Sequence, residues 1–99
     1  MGNYRVSPEA KNDLYEIWLY GLDNWGLDRA DSYYDAFYKR FEELAKNPYL
    51  YQAVEHIREG YRASVCGADT IYYRVAGDTV EIMNVLGQQN RNKLLSGDF

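Results

Sequence analysis

The sequence predicts a two-layer α+β fold, a helical hairpin packed on a small antiparallel sheet, with elements in the order β-α-α-β-β-β. Two stretches in the first half of the chain repeat apolar residues at steps of three and four. Three stretches in the second half alternate apolar with polar residues, and glycine, proline or asparagine punctuates the joins. With 99 residues, 46% of them apolar, the chain is expected to form one domain, residues 1–99, around a single core. No linker, internal repeat or low-complexity segment interrupts it.

Tyr4, Arg5 and Val6 alternate as a short first strand. Ser7-Pro8-Glu9 then reads as a helix start: a hydroxyl to cap free N–H groups, a proline suited to the first turn, and a carboxylate facing the positive dipole end. Ala10, Leu14, Ile17, Trp18, Gly21 and Trp25 fall on one stripe of a 3.6-residue period, while Lys11, Asp13, Glu16 and Asp23 face elsewhere. Trp25-Gly26 breaks the run. Ala30, Tyr33, Tyr34, Phe37, Phe41, Leu44 and Ala45 restart it until Asn47-Pro48, where the residue before proline is pushed out of the helical region. The two helices should therefore lie antiparallel.

Tyr49 to Glu59 shows no clear period and is expected to be a connecting loop ending at Gly60. Beyond it Tyr61, Ala63 and Val65 alternate with Arg62, Ser64 and Cys66. After a Gly67-Ala68-Asp69 turn, Ile71, Tyr73 and Val75 alternate with Tyr72 and Arg74. Gly77-Asp78 supplies the next turn, and Val80, Ile82 and Asn84 alternate with Glu81, Met83 and Val85 up to Leu86-Gly87. Three strands joined by tight turns must pair antiparallel, and the helical stripes need a sheet face to cover. A last helical turn is expected around Leu94-Leu95.

Composition narrows the function classes. The formal charge of -4 argues against a general nucleic-acid binder, which needs clustered lysines and arginines. Residues 1–50 carry six basic and nine acidic groups (net -3) and residues 51–99 carry five and six (net -1), so any basic site should come from the second half. Cys66 is the single cysteine, which excludes an intrachain disulfide and a cysteine-pair metal site and fits a reducing, cytoplasmic setting. No apolar run approaches the roughly 20 residues of a membrane helix, and the chain opens on a strand pattern instead of a signal peptide, so a soluble protein is expected.

Arg58, Arg62, Arg74, Arg91 and Lys93 could form a patch beside the sheet or remain scattered solvated charge. Arg62 and Arg74 carry more weight, being placed on strands at polar-facing positions. Trp18 and Trp25 read as packing residues, although Trp25 could instead rim a partner groove. Eleven tyrosines exceed what this core can bury with every hydroxyl satisfied, so some, such as Tyr15, Tyr20 or Tyr38, belong at the surface, which suits a partner interface. His56 has no second ligand nearby and reads as a plain loop histidine. Glu9, Asp13, Glu16, Asp23 and Asp28 read as a solvated face, and Cys66 lacks a basic sequence neighbour to activate it. No metal or cofactor is expected.

The order of elements, together with several local motifs, resembles the RelE/ParE superfamily of small toxins. Those motifs are Tyr4-Arg5-Val6-Ser7-Pro8-Glu9-Ala10 with Asp13-Leu14 and Ile17-Trp18; Trp25-Gly26; Ile57-Arg58-Glu59-Gly60-Tyr61-Arg62; Ile71-Tyr72-Tyr73-Arg74-Val75; and Val80-Glu81-Ile82-Met83-Asn84-Val85-Leu86. The likeness covers nearly the whole chain. It implies the toxin half of a type II toxin–antitoxin system. The RelE-like branch cleaves mRNA in the ribosome, the ParE-like branch poisons DNA gyrase, and an antitoxin neutralises both.

The stretch after the last strand separates the branches. It reads Gly87-Gln88-Gln89-Asn90-Arg91-Asn92-Lys93-Leu94-Leu95, with glutamines and leucine where RelE-like toxins carry basic residues and a tyrosine. Glutamine neither carries charge nor acts as a general acid. The resemblance therefore implies a non-enzymatic, ParE-like gyrase inhibitor in a hetero-oligomer with a ParD-like antitoxin. Its candidate target- or antitoxin-binding residues are Trp25, Arg58, Tyr61, Arg62, Arg74, Arg91 and Lys93. The alternatives are a RelE-like ribosome-dependent endonuclease using Arg62, Arg91 and Lys93 with a non-standard acid/base group, and a degenerate toxin retaining antitoxin binding alone, since many ParE-like toxins carry a histidine where this chain has Gly87.

Overall fold

Ser7 holds the point where the first strand becomes the first helix. Its extended backbone (φ -67°, ψ 159°) ends the strand, and its Oγ accepts the Ala10 N–H at 3.0 Å, capping the helix that Pro8 opens. The same hydroxyl donates to the Met83 carbonyl at 3.0 Å, and the Ser7 N–H donates to the Ile82 carbonyl at 2.9 Å. One residue thus caps a helix and fastens it to the sheet.

The computed structural model describes residues 2–87. The elements are β1 (Asn3–Val6), α1 (Pro8–Trp25), α2 (Leu27–Lys46), β2 (Arg62–Cys66), β3 (Asp69–Ala76) and β4 (Thr79–Gly87). The expected order and hairpin are present. Gly26, at φ +92°, makes the one-residue hinge between the helices, a backbone conformation that side chains disfavour. The expected turn at Leu94-Leu95 lies outside the described residues.

β2, β3 and β4 form the antiparallel meander that the tight turns demand, but β1 pairs with β4 in parallel, so the four-strand sheet, ordered β1-β4-β3-β2, is mixed and not purely antiparallel. The physical reason is the length of the connections. Between α2 and β2 the chain runs through residues 47–61, long enough for the meander to start at the end of the sheet that leaves β4 running in the direction of β1, and the helices and meander together make the long crossover that a parallel pair needs.

Two strands also break their expected alternation. On β4 a bulge opposite Tyr72/Tyr73 inserts Met83, so Val80, Ile82 and Val85 face the helices and Asn84 turns away, instead of sharing a face with Val80 and Ile82. On β2 the expected inward residue Val65 is 67% exposed, whereas Ser64 and Cys66 are buried under the helices. Arg40 of α2 explains the inward serine, since its Nη1 donates to Ser64 Oγ and to the Val65 carbonyl, each at 2.7 Å.

The main core lies between the hairpin and one face of the sheet. Ala10, Leu14, Phe37, Phe41 and Leu44 meet Ile71, Tyr73, Val80, Ile82 and Val85 there. The other face is covered in part by the aperiodic loop, where Val54 packs with Tyr61, Tyr72 and Leu86 in a second, smaller cluster. Backbone bonds tie that loop down, Val54 N–H to the Tyr61 carbonyl at 2.8 Å and Ala63 N–H to the Gln52 carbonyl at 3.1 Å, and the Tyr73 hydroxyl donates to the Pro48 carbonyl at 2.9 Å. Aperiodic sequence here encodes a cover for the sheet's second face.

Phe41 is fully buried between helix and sheet, and Leu50 is 72% exposed. Phe41→Ala is expected to lower unfolding free energy by about 3–5 kcal/mol, and Leu50→Ala to change it by no more than about 0.5 kcal/mol. Urea unfolding followed by circular dichroism measures both.

Candidate docking surface

Asp13 stands one turn into α1, on the side turned towards the end of β4. Its Oδ2 accepts the Val85 N–H at 3.0 Å, so α1 is pinned to β4 at a second point beyond the bulge. The sequence reading placed Asp13 on a solvated face, but it is half-buried and spans 72 positions of sequence to reach its partner. Between α1 and the strand ends this arrangement leaves an open cleft of about 470 Å³.

Asp13, Glu16, Ile17 and Tyr20 of α1 form one wall, Trp25 and Tyr33 close the hairpin end, and Ala68, Asp69, Val85, Leu86 and Gly87 form the other side. Three carboxylates and no lysine or arginine stand among these described residues, so the cleft is acidic with aromatic and aliphatic walls.

Tyr33 builds the hairpin end. Its hydroxyl accepts the Ala68 N–H and donates to Asp69 Oδ2, both at 2.9 Å, clamping α2 to the β2–β3 turn. Burial, with Asp69 beside it, pushes the Tyr33 hydroxyl well above the ordinary tyrosine range; burial also raises the Asp69 carboxyl, and the Tyr33 bond partly offsets that. Gly67 makes the contact possible: at φ +63°, any Cβ there would fall 2.4 Å from the Tyr33 ring.

Trp25 is held edge-on by Tyr33 (centroids 5.8 Å apart) and Tyr20 (5.9 Å), with the Arg29 guanidinium 5.4 Å from its own ring centre. It is 38% exposed, so it rims the cleft and is not the core residue that its helical stripe suggested. Tyr15, Tyr20 and Leu27 are also exposed on the hairpin, and of these Tyr20 lines the cleft. Trp18 is half-buried, its indole N–H donating to Asp31 Oδ1 at 2.8 Å, and Tyr38 is half-buried against Phe41, not at the surface.

The arginines do not form one patch. Arg62 projects on the helix side of the sheet, where its Nη1 donates to the Tyr51 carbonyl at 2.8 Å and it lies 4.8 Å from the Tyr49 ring. Arg74 lies on the opposite face, its Nε donating to Glu81 Oε1 at 2.6 Å, and Arg5 pairs with the same carboxylate from β1. Arg58 lies against Tyr61, which is buried in the second cluster, with its hydroxyl pushed up by that burial, and is not an open docking residue. Arg91 and Lys93 lie outside the described residues.

Sequence reasoning missed Asp13, Glu16, Tyr33 and Asp69 as cleft residues. No local signal marks them, because the cleft exists only once β4 is registered against α1. Cys66 is buried, and burial raises its thiol, which leaves it inert. Among the described residues no group of three or more histidine, cysteine or carboxylate side chains could hold a metal ion, and no helix is long and apolar enough to cross a membrane.

A family model described as "ParE toxin of type II toxin-antitoxin system, parDE" matches residues 4–91. Toxin ParE1 of Mycobacterium tuberculosis is 38% identical over 87 residues, covering 87% of this chain and 89% of that protein. Toxin ParE1 of Caulobacter vibrioides is 40% identical over 88 residues, covering 89% and 91%. Among solved structures, the chromosomal ParDE toxin–antitoxin system of P. aeruginosa superposes with a TM-score of 0.78 at 16% identity, over 88% of this chain and 96% of that one. The YoeB-YefM toxin-antitoxin complex of Staphylococcus aureus gives 0.55 at 15% identity, over 87% and 95%, which extends the shared fold.

The Arg74 and Arg5 guanidiniums hold the Glu81 carboxyl below the usual carboxylate range. An acid whose folded pKa is depressed adds stability above its unfolded pKa and loses it as pH falls through the folded value. Stability of the unaltered chain should thus fall as pH drops below the ordinary glutamate range. Glu81→Gln should be less stable at pH 7 and show a shallower acid limb; parallel limbs in urea titrations from pH 7 to pH 3 would show that the ladder contributes nothing.

Proposed function

The chain belongs to the ParE toxin family of type II toxin–antitoxin systems, and from that premise we propose that it inhibits DNA gyrase by binding, catalyses no reaction itself, and is neutralised by a ParD-like antitoxin. The observation that carries this reading is the family match over residues 4–91, supported by two relatives named as ParE1 toxins.

The surface favours binding over catalysis. General acid–base work on RNA needs groups that titrate near the operating pH beside basic side chains free to meet developing charge. On the sheet face away from the helices, Arg5 and Arg74 are engaged by Glu81, whose carboxyl is held low, and the Tyr61 hydroxyl is pushed up. After β4 come Gln88 and Gln89. By contrast, Tyr20 and Trp25 are exposed rigid aromatic groups of the type that anchor protein interfaces.

Two ways of covering a toxin of this shape are a helix laid in a groove and a strand added to a sheet edge. The β2 edge is partly used already: the Ala63 N–H is bonded to Gln52, and the Val65 carbonyl to Arg40. A helix or peptide lying along the hairpin beside the cleft is the arrangement that leaves these bonds intact. The antitoxin would then occlude the surface that meets the target.

Purified chain added to gyrase, relaxed plasmid and ATP is expected to abolish supercoiling and accumulate cleaved DNA, and cognate antitoxin to reverse both. Full gyrase activity at saturating toxin would overturn the gyrase assignment while leaving the family membership untouched.

A further inference from the structure

We propose that the corner where the end of α2 meets β2 is a docking site for an acidic segment of the antitoxin, recognised by Arg40 and Arg62 on a bed of tyrosines. Two side-chain stacks that share Tyr51 build it. The Arg62 guanidinium lies 4.8 Å from the Tyr49 ring centre, and its Nη1 donates to the Tyr51 carbonyl at 2.8 Å. The Arg40 guanidinium lies 5.7 Å from the Tyr51 ring centre, and its Nη1 is fixed by Ser64 Oγ and the Val65 carbonyl, each at 2.7 Å. Both heads are ordered before a partner arrives, which lowers the entropy cost of contact.

Charge identifies the occupant. The chain carries 15 acids against 11 basic residues, yet residues 44–54 and 60–68, which supply the corner, contain no acid and carry Lys46 and Arg62. Among the described residues the half-buried Arg62 makes no ion pair. Arg40 meets Glu43 at 3.5 Å, but that carboxylate is 65% exposed, and a pair of this kind is worth little. On the other face of the sheet, by contrast, the Glu81 carboxylate engages both Arg5 and Arg74. A guanidinium keeps further N–H donors after one or two carbonyl bonds, and a carboxylate matches both its charge and its fork.

A peptide fits this corner better than a nucleic acid. Tyr49 and Leu50, 66% and 72% exposed, stand beside the cations and suit a segment that mixes carboxylates with apolar side chains. One face of each tyrosine ring already carries a guanidinium, and a net charge of -4 works against binding a phosphate backbone. Arg40 lies about 21 Å along α2 from the Gly26 hinge, so a partner that follows the hairpin from the cleft reaches it. The antitoxin as source rests on the reading above; the affinity for acidic peptide does not.

The first arm of the test needs no antitoxin. The isotope-labelled full chain is titrated with hexaglutamate at low salt, and its arginine Nε–Hε and backbone amide resonances are followed. Shifts at Arg40, Arg62 and residues 49–52 are expected to exceed those at Arg5 and Arg74 by at least about threefold, and to vanish with hexaglutamine or at about 0.5 M salt. Equal shifts at all four arginines would overturn the site, and equal shifts from hexathymidylate would overturn the choice of a peptide. The second arm measures cognate antitoxin by calorimetry against Leu50→Glu and Leu50→Lys, which change the charge beside Tyr49 and Tyr51 at an exposed side chain that the fold does not need. Leu50→Glu is expected to bind at least about tenfold more weakly than Leu50→Lys; equal affinities would overturn the antitoxin as occupant of this corner. An unaltered chain that binds no antitoxin would overturn the occupant together with the neutralisation reading, while the first arm still decides the acidic-peptide site.

Discussion

The attachment of α1 to β4 is the constraint from which the rest of the molecule follows. Two backbone-directed contacts make it: Ser7, through its N–H and hydroxyl, to the carbonyls of Ile82 and Met83, and Asp13, through its carboxylate, to the Val85 N–H. They bracket the β-bulge. A bulge leaves backbone groups outside the strand ladder, and unpaired buried groups are costly, so the start of α1 supplies partners where the ladder lapses. In return the bulge fixes the phase of β4, placing Val85 beneath the helices and Leu86 on the other face.

That phase shift explains why a small domain carries two apolar clusters. Without Met83 as an extra residue, β4 would present Val80, Ile82 and Asn84 to the helices, burying an amide against Leu14 and Phe37. With it, Asn84 is buried on the opposite face, where its side-chain carbonyl has no hydrogen-bond partner among the described residues. The second face then needs a cover, and the loop carrying Val54 and Ile57 supplies much of it. The loop's fixed path in turn orients Tyr51, whose carbonyl receives Arg62. Local irregularity on one strand therefore dictates a long loop's packing some thirty residues earlier in the chain.

How much of this was legible in the sequence depends on the range of the physics. Ser7-Pro8-Glu9, Trp25-Gly26 and Asn47-Pro48 are local signals, and each marked a boundary within about a residue of its place. The meander was legible because Gly67 and Gly77 take positive φ at tight turns. The parallel pairing of β1, the bulge at Met83 and the inversion of β2 were not, because each is decided by partners far along the chain, such as Arg40 for Ser64. For the same reason the lining of the cleft, the candidate docking surface, was only partly legible. Trp25 was named as a possible rim, whereas Asp13 looked solvated until Val85 was placed beside it. Arg62 and Arg74 share polar positions in their strands but belong to opposite faces.

The tyrosines show how a chain this short can hold both a core and a preformed surface. Tyr73 and Tyr33 use their hydroxyls inside the molecule, one anchoring the loop at Pro48 and the other clamping the β2–β3 turn, so their rings are fixed from both ends. Tyr33 then braces Trp25, and Trp25 braces Tyr20, passing rigidity from the packed interior to the rim of the cleft. Gly21 tightens the same corner, leaving the Trp25 ring within 3.3 Å of where a Cβ would stand. A binding surface of the kind proposed for this chain gains affinity when few side chains must be ordered on contact. Here the ordering is done in folding, by aromatic neighbours that never need to touch a partner, and the specificity of the surface is consequently inseparable from the packing beneath it.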